Sequence, residues 1–143
     1  MRIAIVKSRF NLEVVDGLYQ GALEVFREEK ISYDAETDLY LAPGAFELPL
    51  IAKKLAQTGS YAGVVCLGCV IKGDTAHFEF ISLGAATGIS QAALETETPI
   101  SFGVLTTYDD EQALKRSRPG PENKGREAAL ACIETARVLN RIG

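Results

Sequence analysis

Ala62-Gly63-Val64-Val65-Cys66-Leu67-Gly68-Cys69-Val70-Ile71 is a run of apolar and small side chains without polar alternation. A half-buried strand alternates, whereas a strand covered on both faces does not, so this run reads as a strand buried on both sides. The segments around it carry the helices that such a strand requires. From Leu12 to Lys30, Val14, Leu18, Ala22 and Val25/Phe26 recur at helical spacing, with Asn11 as the expected N-cap. A second helix runs from about Phe46 to Thr58, admits Pro49 only near its first turn and stops at Gly59. A long helix from about His77 to Glu95 is rich in alanine and glycine, which suits close packing.

The remaining punctuation completes the plan. Arg2 to Val6, Asp38 to Leu41 and Pro99 to Thr106 read as the other strands, the second stopped by Pro43-Gly44. A short helix around Asp110 to Arg116, a turn at Pro119-Gly120-Pro121 and a helix from about Lys124 to Arg141 close the chain. The order βαβαβαβαα predicts one α/β domain over residues 1–143, a four-stranded parallel sheet with helices on both faces. By analogy with flavodoxin-like three-layer α/β/α folds, the expected strand order is 2-1-3-4.

Bulk properties narrow the classes of function. The 143 residues, 47% hydrophobic and 24% charged, have the composition of an ordinary soluble protein with one core. No apolar run is long enough to cross a bilayer, so no membrane association is expected. Ile3-Ala4-Ile5-Val6 ends at Lys7 without a small-residue cleavage site, which argues against a signal peptide and makes the cytoplasm the expected compartment. A net charge of −4 argues against a nucleic-acid partner, yet a few local cations suffice for an anionic small ligand. Three cysteines form no disulfide framework. Cys66 and Cys69 have redox-motif spacing, but on a strand residues three apart face opposite ways, so buried strand cysteines are expected and neither redox chemistry nor a metal site.

In such a sheet, ligands bind beyond the carboxyl ends of the strands. Four segments therefore share one edge: Lys7-Ser8-Arg9-Phe10-Asn11, Pro43-Gly44-Ala45-Phe46-Glu47, Lys72-Gly73-Asp74-Thr75-Ala76-His77 and Thr107-Tyr108. Phe10, an aromatic among polar neighbours, is either a stacking surface or a plug over a helix end. Gly73-Asp74-Thr75 can offer backbone N–H groups to an anion at a helix start, or Asp74 or Thr75 can cap that helix. His77 is the only histidine; it is either the proton-transfer group for chemistry near neutrality or a surface or capping residue. Arg116, Arg118 and Lys124 bracket the proline-rich turn, as a phosphate clamp or as solvated charge after a helix end.

Taken in order, Arg9-Phe10-Asn11, residues 43–49 (PGAFELP), residues 68–77 (GCVIKGDTAH), residues 102–107 (FGVLTT) and Asn123-Lys124-Gly125 resemble the lumazine synthase family over nearly the whole chain. The second and third segments are the specific ones. The resemblance implies a cofactor-free condensation of 5-amino-6-(D-ribitylamino)uracil with 3,4-dihydroxy-2-butanone 4-phosphate, giving 6,7-dimethyl-8-ribityllumazine, the riboflavin precursor. It implies stacking by Phe10, contacts to the ribityl chain from Ala45, Phe46 and Glu47, and a ring site lined by Cys69, Val70 and Ile71. It further implies phosphate binding by Gly73, Asp74, Thr75 and Arg116, proton transfer by His77, and a pocket completed by Phe102 and Lys124. In this family the pocket lies between neighbouring subunits of a homopentamer, in some members built into a capsid, with riboflavin synthase as a further partner. The turn Arg118-Pro119-Gly120-Pro121-Glu122 departs from the family's small, glycine-rich, lysine-bearing turn, and the chain starts at its first strand where many members carry an extension that pairs with a neighbouring subunit.

Three other readings fit part of the pattern. A non-catalytic flavodoxin-type flavin-binding module accounts for fold, aromatic and anion loop, but gives His77 no task. An archaeal-type riboflavin synthase shares the architecture, but residues 43–49 and the loop before His77 favour the phosphate-using enzyme. A purely structural shell protein would show no turnover.

Overall fold

The computed structural model describes residues 1–143. Strands β1 (Ile3–Ser8), β2 (Leu39–Ala42), β3 (Gly63–Ile71) and β4 (Ile100–Thr107) form one parallel sheet in the order β2-β1-β3-β4. The helices are α1 (Leu12–Glu28), α2 (Ala35–Asp38), α3 (Leu48–Gln57), α4 (His77–Thr96), α5 (Asp110–Lys115) and α6 (Lys124–Ile142). The expected order of strands is the observed one.

β3 carries the fold in the way its composition requires. Every residue from Gly63 to Val70 is buried. Val65, Leu67 and Cys69 face a core shared with Val15, Leu18 and Phe26 of α1 and Ala129 and Ile133 of α6. Val64, Cys66 and Val70 face the opposite core, with Leu48, Ala52 and Leu55 of α3 and Ile89 of α4. Cys66 and Cys69 thus lie on opposite faces, as strand periodicity requires. A fully buried aliphatic side chain stabilises by roughly 1.5–3 kcal/mol, so a one-residue slip of β3, which would exchange both faces at once, is strongly disfavoured.

The structure corrects several boundaries. β1 runs to Ser8, past the expected end at Val6, because Lys7 reaches Asp16 of α1 (2.8 Å) and needs no place outside the sheet. Asp38 ends the short helix α2 instead of opening β2; the sequence reading missed that helix, which Asp34 caps through Glu36 N–H (2.9 Å). Asp38 is buried and binds Arg2 Nη2 (2.6 Å), Tyr61 Oη (3.0 Å) and the Asp34 N–H (2.9 Å). Burial works against its charge, but these donors outweigh it and hold the carboxyl below its ordinary range. Phe46 lies in a 3-10 turn (Ala45–Glu47), and α3 begins at Leu48 with Pro49 in its first turn, where no hydrogen bond is lost.

Asn11 stands at the N-cap position of α1 but does not cap it. Its backbone is left-handed (φ 55°), which asparagine tolerates, and its amide instead donates to the Cys69 carbonyl (3.0 Å). That bond ties the end of β1 to the end of β3, the two strands whose exits form the site.

Candidate functional site

The segments leaving β1, β2 and β3 enclose a cleft of about 370 Å³. Phe10 and Asn11 come from the first, Gly44, Ala45, Phe46 and Glu47 from the second, and Cys69, Val70 and Ile71 from the end of β3. His77 and Ile81, one helical turn apart on α4, close the far side. The structure therefore brings together Phe10, Ala45, Phe46, Glu47, Cys69, Val70, Ile71 and His77.

Phe10 is 67% exposed and Phe46 57%, so neither ring is a plug; both offer aromatic surface to the cleft. Gly44 makes room for this. A Cβ there would come within 3.3 Å of Phe10 Cδ2 and 3.2 Å of Glu47 Oε1, crowding both. The α4 side is equally tight: a Cβ at Gly84 would sit 2.8 Å from Phe46 Cε1. Apolar walls with one carboxylate and one imidazole suit a flat, polar-edged heterocycle.

Residues 73–75 form an exposed bend between β3 and α4, just outside the cleft. Of the two readings of this segment, capping is met only in part: Ala76 occupies the N-cap position, Asp74 makes no cap bond, and Thr75 Oγ1 accepts a 3.3 Å bond from the His77 N–H. In the first turn of this 20-residue helix the Glu79 and Phe80 N–H groups go to the Ala76 carbonyl (3.0 and 3.3 Å), and the exposed bend ahead of it lies at the positive end of the helix dipole, which favours an anion.

Phe102, Arg116 and Lys124 do not reach this cleft. They line a separate groove of about 520 Å³ along the outer edge of β4, together with Tyr108, Gln112 and Glu127. Lys124 Nζ lies 5.8 Å from the Phe102 ring centre and 3.2 Å from Glu127 Oε1. Arg116 is exposed, and every ion pair of the fold uses other cations.

Sequence reasoning placed Asn11 and Tyr108 on the ligand edge without giving them a role in a site, and did not name Ile81; Asn11 and Ile81 line the cleft and Tyr108 the groove. Ile81 was findable, four positions after His77 on the same helix face. Tyr108 is 69% exposed, with Lys72 Nζ 5.8 Å from its ring centre, and its signal was its place just past β4. Asn11 had been given a capping role that its backbone conformation excludes. The thiols stay protonated: burial pushes Cys66 well up, Cys69 up to about 11 and Cys132 up to about 12. No group of three or more His, Cys, Asp or Glu side chains comes together that could hold a metal ion.

Phe10→Leu is expected to weaken binding of a flat heterocycle in the cleft severalfold, and Phe10→Ala by about tenfold, because an aromatic face and its contact area are lost. Titration of a pyrimidine ligand against each variant checks this; unchanged binding by the alanine variant would show that the ring does not stack.

A family model described as 6,7-dimethyl-8-ribityllumazine synthase matches residues 1–140. The chain is 65% identical over 141 residues to 6,7-dimethyl-8-ribityllumazine synthase 1 of Caulobacter vibrioides, covering 99% of this chain and 92% of the relative. It is 49% identical to the 6,7-dimethyl-8-ribityllumazine synthase of Deinococcus deserti and 45% identical to that of Nitratidesulfovibrio vulgaris, each over 142 residues, 99% of this chain and 90% of the relative.

Proposed function

The chain belongs to the 6,7-dimethyl-8-ribityllumazine synthase family, and on that premise we propose that its cleft receives the pyrimidine and its 73–75 bend the phosphate of the two substrates. The reaction is the condensation of 5-amino-6-(D-ribitylamino)uracil with 3,4-dihydroxy-2-butanone 4-phosphate to 6,7-dimethyl-8-ribityllumazine, phosphate and water, a step of riboflavin biosynthesis. The enzyme is a transferase.

The observation that carries the assignment of roles is the cleft itself, with aromatic surface, a carboxylate, an imidazole and the N-terminus of a long helix around one opening. Phe10 stacks on the pyrimidine, Ala45, Phe46 and Glu47 hold the ribityl chain, and Cys69, Val70 and Ile71 line the ring site. Gly73, Asp74 and Thr75 bind phosphate through backbone N–H groups, and Arg116 adds the cation. His77 transfers protons as the Schiff base forms, phosphate leaves and the second ring closes. Both substrates bring their own reactive groups, so alignment and proton transfer supply the rate, and the condensation needs no cofactor.

The separate groove supports a shared site. Phe102, Arg116 and Lys124 belong to the family pattern but line a different surface from the cleft, so the groove of one copy completes the cleft of the next. Phe80, Leu83 and Leu94 of α4 and Leu50 of α3 are exposed apolar side chains, which a subunit contact would cover. The proposed assembly is a homopentamer or a multiple of one, in the cytoplasm, with riboflavin synthase as the partner that consumes its product. No helix is long and apolar enough to cross a membrane.

Two measurements test this. Purified protein mixed with both substrates should form fluorescent lumazine faster than the uncatalysed mixture; equal rates would refute the activity. Light scattering should give a pentamer or a multiple of it, and an active monomer would refute the shared site.

A further inference from the structure

Asn123 lies at the N-cap of α6, 1% exposed, and is not among the residues that line the cleft described above. Its Oδ1 accepts the N–H groups of Gly125 (2.8 Å) and Arg126 (3.1 Å), which is an ordinary helix cap. A cap needs only that oxygen. Its Nδ2 is turned the other way and donates to three carbonyls: Gly17 of α1 (3.1 Å), Ser117 (3.0 Å) and Arg118 (3.1 Å). Two N–H protons serve three acceptors, so at least one bond is shared, and no other orientation of the amide satisfies both sides.

Two of these carbonyls, those of Ser117 and Arg118, belong to the loop between Arg116 and Lys124, and the third, that of Gly17, belongs to α1. That loop contains Pro119 and Pro121, which have no N–H, so it has few main-chain donors of its own. It is closed by Lys124 N–H to the Arg116 carbonyl (2.9 Å) and by Asn123 N–H to the Gly120 carbonyl (3.2 Å). The packing leaves space for the device. A Cβ at Gly21 would lie 2.6 Å from Asn123 Cγ, and a Cβ at Gly17 would overlap the Ser117 carbonyl.

We propose that Asn123 is a positioning residue for the phosphorylated substrate: by pinning the Arg116–Lys124 loop to α1, it sets where the Arg116 guanidinium and the Lys124 ammonium stand in the groove. This rests on the reading that Arg116 binds the substrate phosphate. Asn123 touches no substrate and acts through these two cations.

Asn123→Ser separates the two halves of the side chain, because a serine hydroxyl caps a helix but cannot reach three carbonyls. The expected result is a KM for the phosphorylated ketone raised about tenfold, the loss of one to two hydrogen bonds' worth of order, with the KM for the pyrimidine within about twofold of wild type. Inorganic phosphate should lose strength as a competitive inhibitor by the same factor. Gly21→Ala displaces Asn123 without altering it and should reproduce the pattern. Arg116→Ala is measured alongside. If it raises the ketone KM while both Asn123→Ser and Gly21→Ala leave that KM at wild type, the positioning role is overturned and the phosphate reading stands. If Arg116→Ala changes neither KM, the phosphate reading falls and the proposal with it. Equal increases in both KM values for Asn123→Ser, accompanied by a lowered melting temperature, would mark a purely structural residue and also overturn it.

Discussion

His77→Asn is expected to lower kcat by roughly ten- to a hundredfold without abolishing turnover, at or below the low end of general acid–base catalysis. The condensation requires proton transfers at loss of water, at departure of phosphate and at ring closure. Histidine is the side chain whose unperturbed pKa serves such transfers near neutrality, and this chain has one. That one opens α4 on the wall of the cleft, two residues after the bend assigned to the phosphate. The effect stays modest because the substrates react spontaneously and alignment supplies much of the rate. Asparagine retains polarity and similar length, so pyrimidine binding should be nearly unchanged. Single-turnover measurements, where chemistry is observed, should show the loss in the chemical step itself. An unchanged kcat and single-turnover rate in correctly assembled protein would remove His77 from proton transfer and leave catalysis to alignment and the substrate phosphate.

Arg116→Ala is expected to raise the KM for the phosphorylated ketone by roughly ten- to a hundredfold, the usual worth of a charge-assisted contact to phosphate, and to leave that for the pyrimidine near wild type. The substitution is clean on structural grounds. Arg116 forms no ion pair whose carboxylate would be stranded, and the bond that matters to the fold uses its main-chain carbonyl, which alanine keeps. Steady-state kinetics with each substrate varied in turn checks this. Equal effects on both would exclude Arg116 as the phosphate contact and direct attention to Arg118, across the same turn.

The parts of the cleft that were legible in the sequence share a property: each is a short segment placed by the end of one strand. Phe10, Phe46 and His77 follow β1, β2 and β3, and parallel strands necessarily deliver such segments to one edge. Asn11 was misjudged because capping is the commonest task of an asparagine before a helix, and only its left-handed backbone turns the amide to Cys69. Asp38 was misjudged because a four-residue helix is too short to show periodicity, and its partners Arg2 and Tyr61 are distant in the chain.

The four-stranded parallel sheet, the burial of its central strand on both faces and the strand-end location of the cleft were legible in the sequence alone, whereas the single core expected from chain length is in fact two, one on each side of the sheet. Burial on both faces and helical spacing are written locally, in runs such as Val64 to Ile71 and in the period of Val14, Leu18 and Ala22. That Phe102, Arg116 and Lys124 stand apart from the cleft in a second groove follows from the packing of the elements and was not written locally. The tertiary structure alone joined Asn123 to a carbonyl of Gly17 more than a hundred residues before it. Local periodicity specifies which face of an element is buried, but not which distant element covers it. That choice is made when the helices pack, and it decides which charges meet across a site.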